Sequence, residues 1–169
     1  MEIRCLTSDD AAQYWKLRLE ALQRDPEAFG SSAEEHQSLS LEEVRARLGS
    51  GEGEFFVAGA IHDGCLLGMA GFAREKGPKK RHKGWVWGVY VTPEKRGAGL
   101  GRRIMEAVLK RGAAIDGVEQ VLLSVATTQA AASALYRALG FQSFGREPRA
   151  LKVGERFIDE EYMVLRLKA

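Results

Sequence analysis

The sequence predicts an α/β fold, one mixed β-sheet of about seven strands with helices packed on both faces. Three observations carry this. Apolar runs of strand length alternate with amphipathic stretches of helical period, in the order β-α-α-β-β-β-α-β-α-β-β. Asp63-Gly64, a strong short turn signal, joins two apolar runs as a hairpin. Trp85 to Val91, rich in β-branched and aromatic residues, leads directly into a glycine-rich turn and a helix. A single central sheet buries all four helix stripes, and with no repeat and no linker the 169 residues read as one domain.

Each element follows from local chemistry. Glu2 to Leu6 is a short strand. Thr7-Ser8-Asp9-Asp10 supplies N-cap groups, and Ala12, Trp15, Leu19 and Leu22 form the stripe of a first helix closed by Pro26. Glu27 to Gln37, with Gly30 and two serines, reads as a loop. Ser40 and Glu43 have capping-box spacing for a second helix, with Leu41, Val44 and Leu48 inward and its end at Gly49. The hairpin strands are Glu54 to His62 and Cys65 to Ala73. After the strand ending at Val91, a helix runs from Gly101 to about Arg111 on Leu100, Ile104, Ala107 and Val108. Val118 to Val125 is a buried strand. Thr127 or Thr128 caps a helix from Gln129 to Leu139, which Gly140 stops. A late strand begins at Phe141 to Phe144, Lys152 to Glu155 turns, and Arg156 to Leu167 is the last long strand.

Composition narrows the class. Hydrophobic residues at 45% and charged residues at 28% are ordinary for a soluble globular protein. No apolar run approaches the roughly 18 residues of a membrane span, and the first residues lack the apolar core of a signal peptide. Cys5 and Cys65 have neither metal nor redox spacing and read as buried, inert thiols of a cytoplasmic protein. His36, His62 and His82 show no ligand spacing, so no metal is expected. Six of the 25 basic residues fall between Arg74 and Gly84 beside one of the 23 acidic ones, leaving 19 against 22 elsewhere. That cluster has two readings, an attractor for a polyanion or a nucleotide's outer phosphate, and a solvated loop turning at Gly77-Pro78. No aromatics interleave with it, which disfavours a nucleic-acid surface.

The chemistry concentrates at Arg96-Gly97-Ala98-Gly99-Leu100-Gly101. Strand, glycine turn and helix aim free backbone N–H groups at one spot, at the positive end of a helix dipole. Glycines remove the Cβ atoms that would hold a phosphate away. A triphosphate loop needs Gly-Lys-Ser/Thr, and the dinucleotide fingerprint needs G-x-G-x-x-G; neither is present. Arg96, Gly99 and Gly101 do fit Arg/Gln-x-x-Gly-x-Gly/Ala, which resembles the coenzyme A pyrophosphate motif of the GNAT superfamily of acyl-CoA-dependent N-acyltransferases. About 30 residues on, Ala132, Leu135, Tyr136, Gly140 and Phe141 match that superfamily's Asn-x-x-Ala-x-x-Leu-Tyr-x-x-x-Gly-Phe, with Gln129 in place of asparagine. The resemblance covers Glu54 to Phe141.

The resemblance implies acetyl-CoA as co-substrate and an amine as acceptor. Val89, Tyr90 and Val91 would offer main-chain hydrogen bonds to the pantetheine arm. The N–H groups of Gly97, Ala98, Gly99, Leu100, Gly101 and Arg102 would hold the pyrophosphate, with Arg96 and Arg102 as charged helpers and Gln129 and Tyr136 alongside. For Arg102 a solvated helix position is equally open. Tyr136 resembles the general acid that protonates the departing thiolate, a core tyrosine being the plain alternative, and the N–H of Val89 or Val91 would meet the developing oxyanion. Relatives often dimerise, so a homodimer is open, though no residue requires one.

The base departs from the pattern. Many relatives carry a glutamate about eleven residues before the motif, where this chain has Trp85, and no carboxylate lies between Trp85 and Val91. Glu34, Glu35 and His36 after the first helix, and Asp159, Glu160 and Glu161 on the last strand, are the substitutes, with Glu35 and Glu160 the nominated bases; a solvated face is the alternative for each cluster. Together they suggest a cationic amine drawn to a negative rim. The leading reading is an N-acetyltransferase acting on a primary amine of a small molecule or peptide. The other, favoured by the missing glutamate, is an acyl-CoA-binding sensor of the same fold without catalysis.

Overall fold

Side chains alternate across a pleated strand, so a sheet covered on both faces needs apolar residues at odd and even positions alike. The computed structural model, which describes residues 1–50 and 53–167, shows this alternation. On β2 (Phe55–His62), Phe56, Ala58 and Ala60 enter one core while Val57 enters the other. On β3 (Cys65–Arg74), Ala70 and Phe72 are divided in the same way from Leu66 and Met69.

Seven strands form one mixed sheet. With β1 (Glu2–Cys5), β4 (Lys83–Val91), β5 (Gln120–Ala126), β6 (Gln142–Val153) and β7 (Arg156–Arg166), the order is β1-β2-β3-β4-β5-β7-β6. Only β4 and β5 pair in parallel, and α4 (Leu100–Ala113) makes the crossover between them. Leu100, Ile104, Met105 and Val108 of α4 and Tyr136 of α5 (Ala130–Ala138) pack on one face. α1 (Ala11–Arg24) and α3 (Leu41–Gly49) pack on the other, with the short α2 (Ala33–Gln37) against α1. The expected sheet with helices on both faces is therefore present. No described helix is long and apolar enough to cross a membrane.

Several local expectations are corrected. The buried face of α1 is Ala11, Tyr14, Leu17, Arg18, Ala21 and Leu22; of the expected stripe Leu22 is buried, Trp15 and Leu19 are half-buried and Ala12 is exposed, so the face is turned by about one position. Choosing apolar residues alone misplaced that face, because an arginine stands within it. Part of the expected loop folds as α2, where Ser32 Oγ accepts from Glu35 N and Glu35 Oε2 accepts from Ser32 N at 2.7 Å. The same device starts α3 at Ser40 and Glu43, as expected. Neither Thr127 nor Thr128 caps α5. Thr127 N instead donates to Asp159 O, prolonging the β5–β7 ladder, and Gln129 is the N-cap residue. Gly140, at φ +97°, ends α5 as expected. Neither cysteine is buried: Cys5 is half-buried and Cys65 opens β3 at the exposed hairpin end.

The irregularity that positions the site lies in β4. Met69 faces Tyr90 but Gly71 faces Trp87, so β4 carries one residue more than β3 over this stretch. Gly88 sits there at φ +64°, a left-handed conformation that favours glycine. Pairing with β5 is confined to Lys83, Gly84 and Trp85 against Gln120, Val121 and Leu122. Beyond Trp85 the two parallel strands part.

Candidate acyl-CoA site

Where β4 leaves β5, main-chain groups lose their ladder partners and a cleft of about 360 Å³ opens between the strands. Thr92 N donates to Leu67 O of β3, so the strand's alternation turns the peptide groups of Val91 the other way, toward the cleft. The Val91 carbonyl already accepts from Arg96 Nε at 2.9 Å. Of the twelve positions singled out for cofactor binding, all but Ala98 line this one cleft.

The glycine turn forms the cleft's mouth. Gly99 is the N-cap residue of α4 at φ +74°, and Gly97 lies at φ +79°. Arg103 N, donating to Gly99 O at 3.1 Å, is the first amide of this helix to reach a carbonyl. Among the described residues the six N–H groups from Gly97 to Arg102 donate to no main-chain or side-chain acceptor. Unsatisfied amides at a helix's positive end are what a pyrophosphate requires. Gly101 needs no special φ; a Cβ there would meet Leu135 Cδ2 at 3.6 Å and Val91 Cγ2 at 3.7 Å, ordinary contacts.

The charged helpers are partly engaged within the protein. Arg96 Nη2 donates to Asp25 Oδ2 at 2.6 Å, and its guanidinium lies 5.3 Å over the Tyr90 ring. Arg102 Nε donates to Glu106 at 2.8 Å, one turn along α4. Gln129 lines the cleft and its side chain makes no hydrogen bond among the described residues. The cluster runs from Arg74, the last residue of β3, to Lys83, the first of β4, at the opposite end of that strand from the glycine turn, and Arg74 Nη1 bonds Glu54 at 2.8 Å. This placement matches the solvated-loop reading.

Tyr136 projects from α5 into the cleft and is 6% exposed, its ring edge-on to Phe141 at 6.1 Å. Burial raises its pKa well above the ordinary phenol value, so it is a neutral proton donor at any physiological pH. Its hydroxyl has no hydrogen-bond partner among the described residues.

The carboxylates separate clearly. Glu35 is exposed and spent on the α2 cap, bordering a second cavity rather than the cleft. Asp159 bonds Arg146 and Arg149 N, and Glu161 bonds Arg137 at 2.7 Å. Two carboxylates of the anticipated negative rim, Asp159 and Glu161, are thus paired with arginines. Glu160 is half-buried and opposite Ala126 of β5, a diagonal neighbour of the cleft-lining Ser124. Burial, and then the Glu147 carboxylate, raise its pKa above the ordinary range, with Ser124 opposing them. Trp85 donates Nε1 to Glu75 at 2.9 Å and meets Tyr162 edge-on at 6.3 Å. Asp25 is the only carboxylate lining the cleft among the described residues.

Two features escaped sequence reasoning. Gly88 lay inside an apolar strand, itself a signal for a bulge. Arg18 is buried beside it, and an arginine within a helix's inward stripe was the available sign.

Comparison with known proteins agrees with this geometry. A family model described as the Acetyltransferase (GNAT) family matches residues 15–141. The chain is 31% identical over 105 residues to an L-methionine sulfoximine/L-methionine sulfone acetyltransferase of Pseudomonas aeruginosa, covering 62% of this chain and 60% of that one. It thus spans about three fifths of that relative's length. Among solved structures, a GNAT-family acetyltransferase from Streptococcus pneumoniae superposes with a TM-score of 0.87 at 23% identity, over 98% of this chain and 99% of that one. The structure of yncA from Salmonella typhimurium with its cofactor acetyl-CoA gives 0.81 at 22% identity, over 100% and 95%. A parted strand pair, an amide-lined helix start and a tyrosine between them coincide with a family match over most of the sequence: the chain belongs to the GNAT acetyltransferase family.

Proposed function

We propose that this protein transfers the acetyl group of acetyl-CoA to a primary amine, with both bound together. The observation that carries the reading is the row of six unpaired amides from Gly97 to Arg102, at the mouth of a cleft whose strands have parted. These groups suit a pyrophosphate, and the freed edge of β4 suits the pantetheine amides. Bound there, acetyl-CoA supplies an acyl group activated as a thioester.

The chain's own residues then divide the work. The bulge at Gly88 and the strand to Val91 orient the acyl carbon, and the N–H of Val89 or Val91 donates to the oxygen that gains charge. Tyr136 donates its phenolic proton toward the departing sulfur, whose thiol has an ordinary pKa of about 8.5. Since burial raises the phenol's pKa, Tyr136 stays protonated in the resting site and keeps the proton available for the sulfur as negative charge builds on it. The amine nitrogen forms its bond to the acyl carbon as the carbon–sulfur bond breaks, and Glu160 receives the proton that nitrogen releases, relayed by water past Ser124. Support for Glu160 is its raised proton affinity and its place on β7 beside the cleft. Glu35, held by Ser32, is the weaker candidate.

A second reading, an acyl-CoA sensor without catalysis, is favoured by one observation: the cleft's only described carboxylate, Asp25, is bound to Arg96. Thiol release from acetyl-CoA across a panel of amines, beside calorimetric binding of acetyl-CoA, separates the two. Turnover on any amine establishes the transferase, and binding without turnover establishes the sensor.

A further inference from the structure

We infer that, given acetyl transfer to an amine as proposed above, the acceptor is an amine of amino-acid size bearing a carboxylate, and that Arg18 holds this carboxylate. A second cavity of about 430 Å³ lies between α1, α2, α3 and the central strands, with Trp87 in its wall and in that of the acyl-CoA cleft. Arg18 lines it and is only 8% exposed. Its Nη1 is fully buried without a hydrogen-bond partner, the one such side-chain atom among the described residues.

Nothing in the surrounding walls answers this charge. The guanidinium lies 4.8 Å over the Phe29 ring and 6.0 Å from that of Trp87, whose faces attract a cation but take no N–H in line. Arg47, also lining the cavity, has the same sign. Tyr14 is kept neutral by burial, and burial lowers the pKa of His36, whose Nε2 bonds Trp15 O at 2.8 Å. The Glu35 carboxylate at the edge is taken by Ser32 N. An arginine does not shed its proton to relieve burial, so the group stays charged and lacks a partner. A planar fork of N–H donors in that state fits a carboxylate, two oxygens to two N–H groups.

Position decides the rest. A methyl group placed on Gly88 would lie 3.2 Å from Arg18 Nη1. Gly88 also lines the acyl-CoA cleft. The guanidinium therefore packs against the bulge that lines the acyl-CoA cleft, so a carboxylate held by Arg18 from the second cavity lies on the neighbouring side of β4 from the thioester. Leu22, Leu39, Val44 and Phe55 make the remaining wall largely apolar and suit an aliphatic or aromatic side chain. A cavity of about 430 Å³ has room for a free amino acid.

The test separates this site from the transfer itself. N-acetyl-L-leucine keeps the carboxylate and lacks the nucleophile; N-acetyl-L-leucinamide lacks both. Titrated calorimetrically into the CoA-loaded wild type, the acid should bind at least about tenfold more tightly than the amide, the scale of a charge-assisted hydrogen bond. Arg18→Met should abolish the difference and Arg18→Lys should keep part of it, while a merely structural arginine would alter stability and leave the ratio untouched. Equal affinities in the wild type, a preference that survives in Arg18→Met, or no measurable binding of either probe at millimolar concentration overturns the inference. Thiol release with L-leucine and L-leucinamide reads the other half. Equal kcat/KM for the two sinks the carboxylate site and leaves acetyl transfer intact. An acid preference at equilibrium with no turnover on any amine retains the site and removes the transfer.

Discussion

Replacing Arg18 by methionine should make this protein more stable while damaging its use of an acceptor. In the wild type, folding takes a guanidinium out of water and leaves Nη1 without a partner. Exchanging buried ionic groups for apolar ones of similar volume is often neutral or stabilising by about 1–4 kcal/mol. Against this stand two cation–π contacts. The one to Phe29 at 4.8 Å is within good range and the one to Trp87 at 6.0 Å is at its limit, together about 1–2 kcal/mol. Methionine fills the stem's space and keeps part of the contact with both rings. The net gain is about 1–2 kcal/mol, which for a chain of this length raises Tm by roughly 2–8 °C. Differential scanning calorimetry of both proteins without ligand measures it. N-acetyl-L-leucine at about 100 times its Kd should then add about 2.7 kcal/mol to the wild type and little to the variant, reversing their order. A lower Tm for Arg18→Met without ligand would refute the reasoning, since it would mean the resting protein already satisfies this charge.

The other expectations concern the cleft. Tyr136→Phe should lower kcat by about 10²–10⁴-fold, as for loss of a general acid, with acetyl-CoA affinity within about threefold; an unchanged kcat excludes the acid role. Gly99→Ala should weaken acetyl-CoA binding and cost about 1–2 kcal/mol of stability, because φ +74° is left-handed, whereas Gly101→Ala should be near neutral in both; calorimetry compares them. For Glu160 the pH profile decides. A base works as its carboxylate, so activity is present above its pKa and lost as pH falls through it, and the raised value places that limb above the ordinary carboxylate range. Glu160→Gln should remove the limb along with most of the rate, and an identical profile in the variant assigns the proton elsewhere.

How much was legible follows from which residues announce their own backbone. The α4 start could be read because Gly97 and Gly99 occupy left-handed positions that other residues avoid, and the hairpin because Asp63-Gly64 can hardly do anything else. Tyr136 and Gly140 were legible because α5 presents them at fixed helical spacing. Two charges of the acidic rim were overcounted because their partners lie elsewhere along the chain, Arg137 for Glu161 and Arg146 for Asp159 across the β6–β7 hairpin. Charge counted along a sequence does not show which charges cancel in space. The face of α1 was ambiguous by one position, and hydrophobicity chose wrongly because the inward stripe contains the buried Arg18. Such a site reads as a sequence error until the fold shows what it faces.

Gly88 joins the two halves of the site, and its substitution is the most demanding test of that view. Its left-handed φ lies at the extra residue of β4 in the β3 ladder, on the stretch where β4 no longer pairs with β5 beside the cleft. The missing side chain also leaves the space that Arg18 Nη1 occupies. In Gly88→Ala the backbone is strained by about 1–2 kcal/mol and the new methyl presses on the guanidinium at 3.2 Å, closer than comfortable packing. Relaxation can run two ways, straightening β4 or displacing Arg18. Either way the cofactor and acceptor sides are disturbed through one atom, so acetyl-CoA affinity and the preference for N-acetyl-L-leucine over its amide should fall together. Titration of each ligand into the variant measures this coupling. A loss confined to acetyl-CoA would mean that the second cavity is independent of the bulge, and that Arg18 does not hold its charge where the amine arrives.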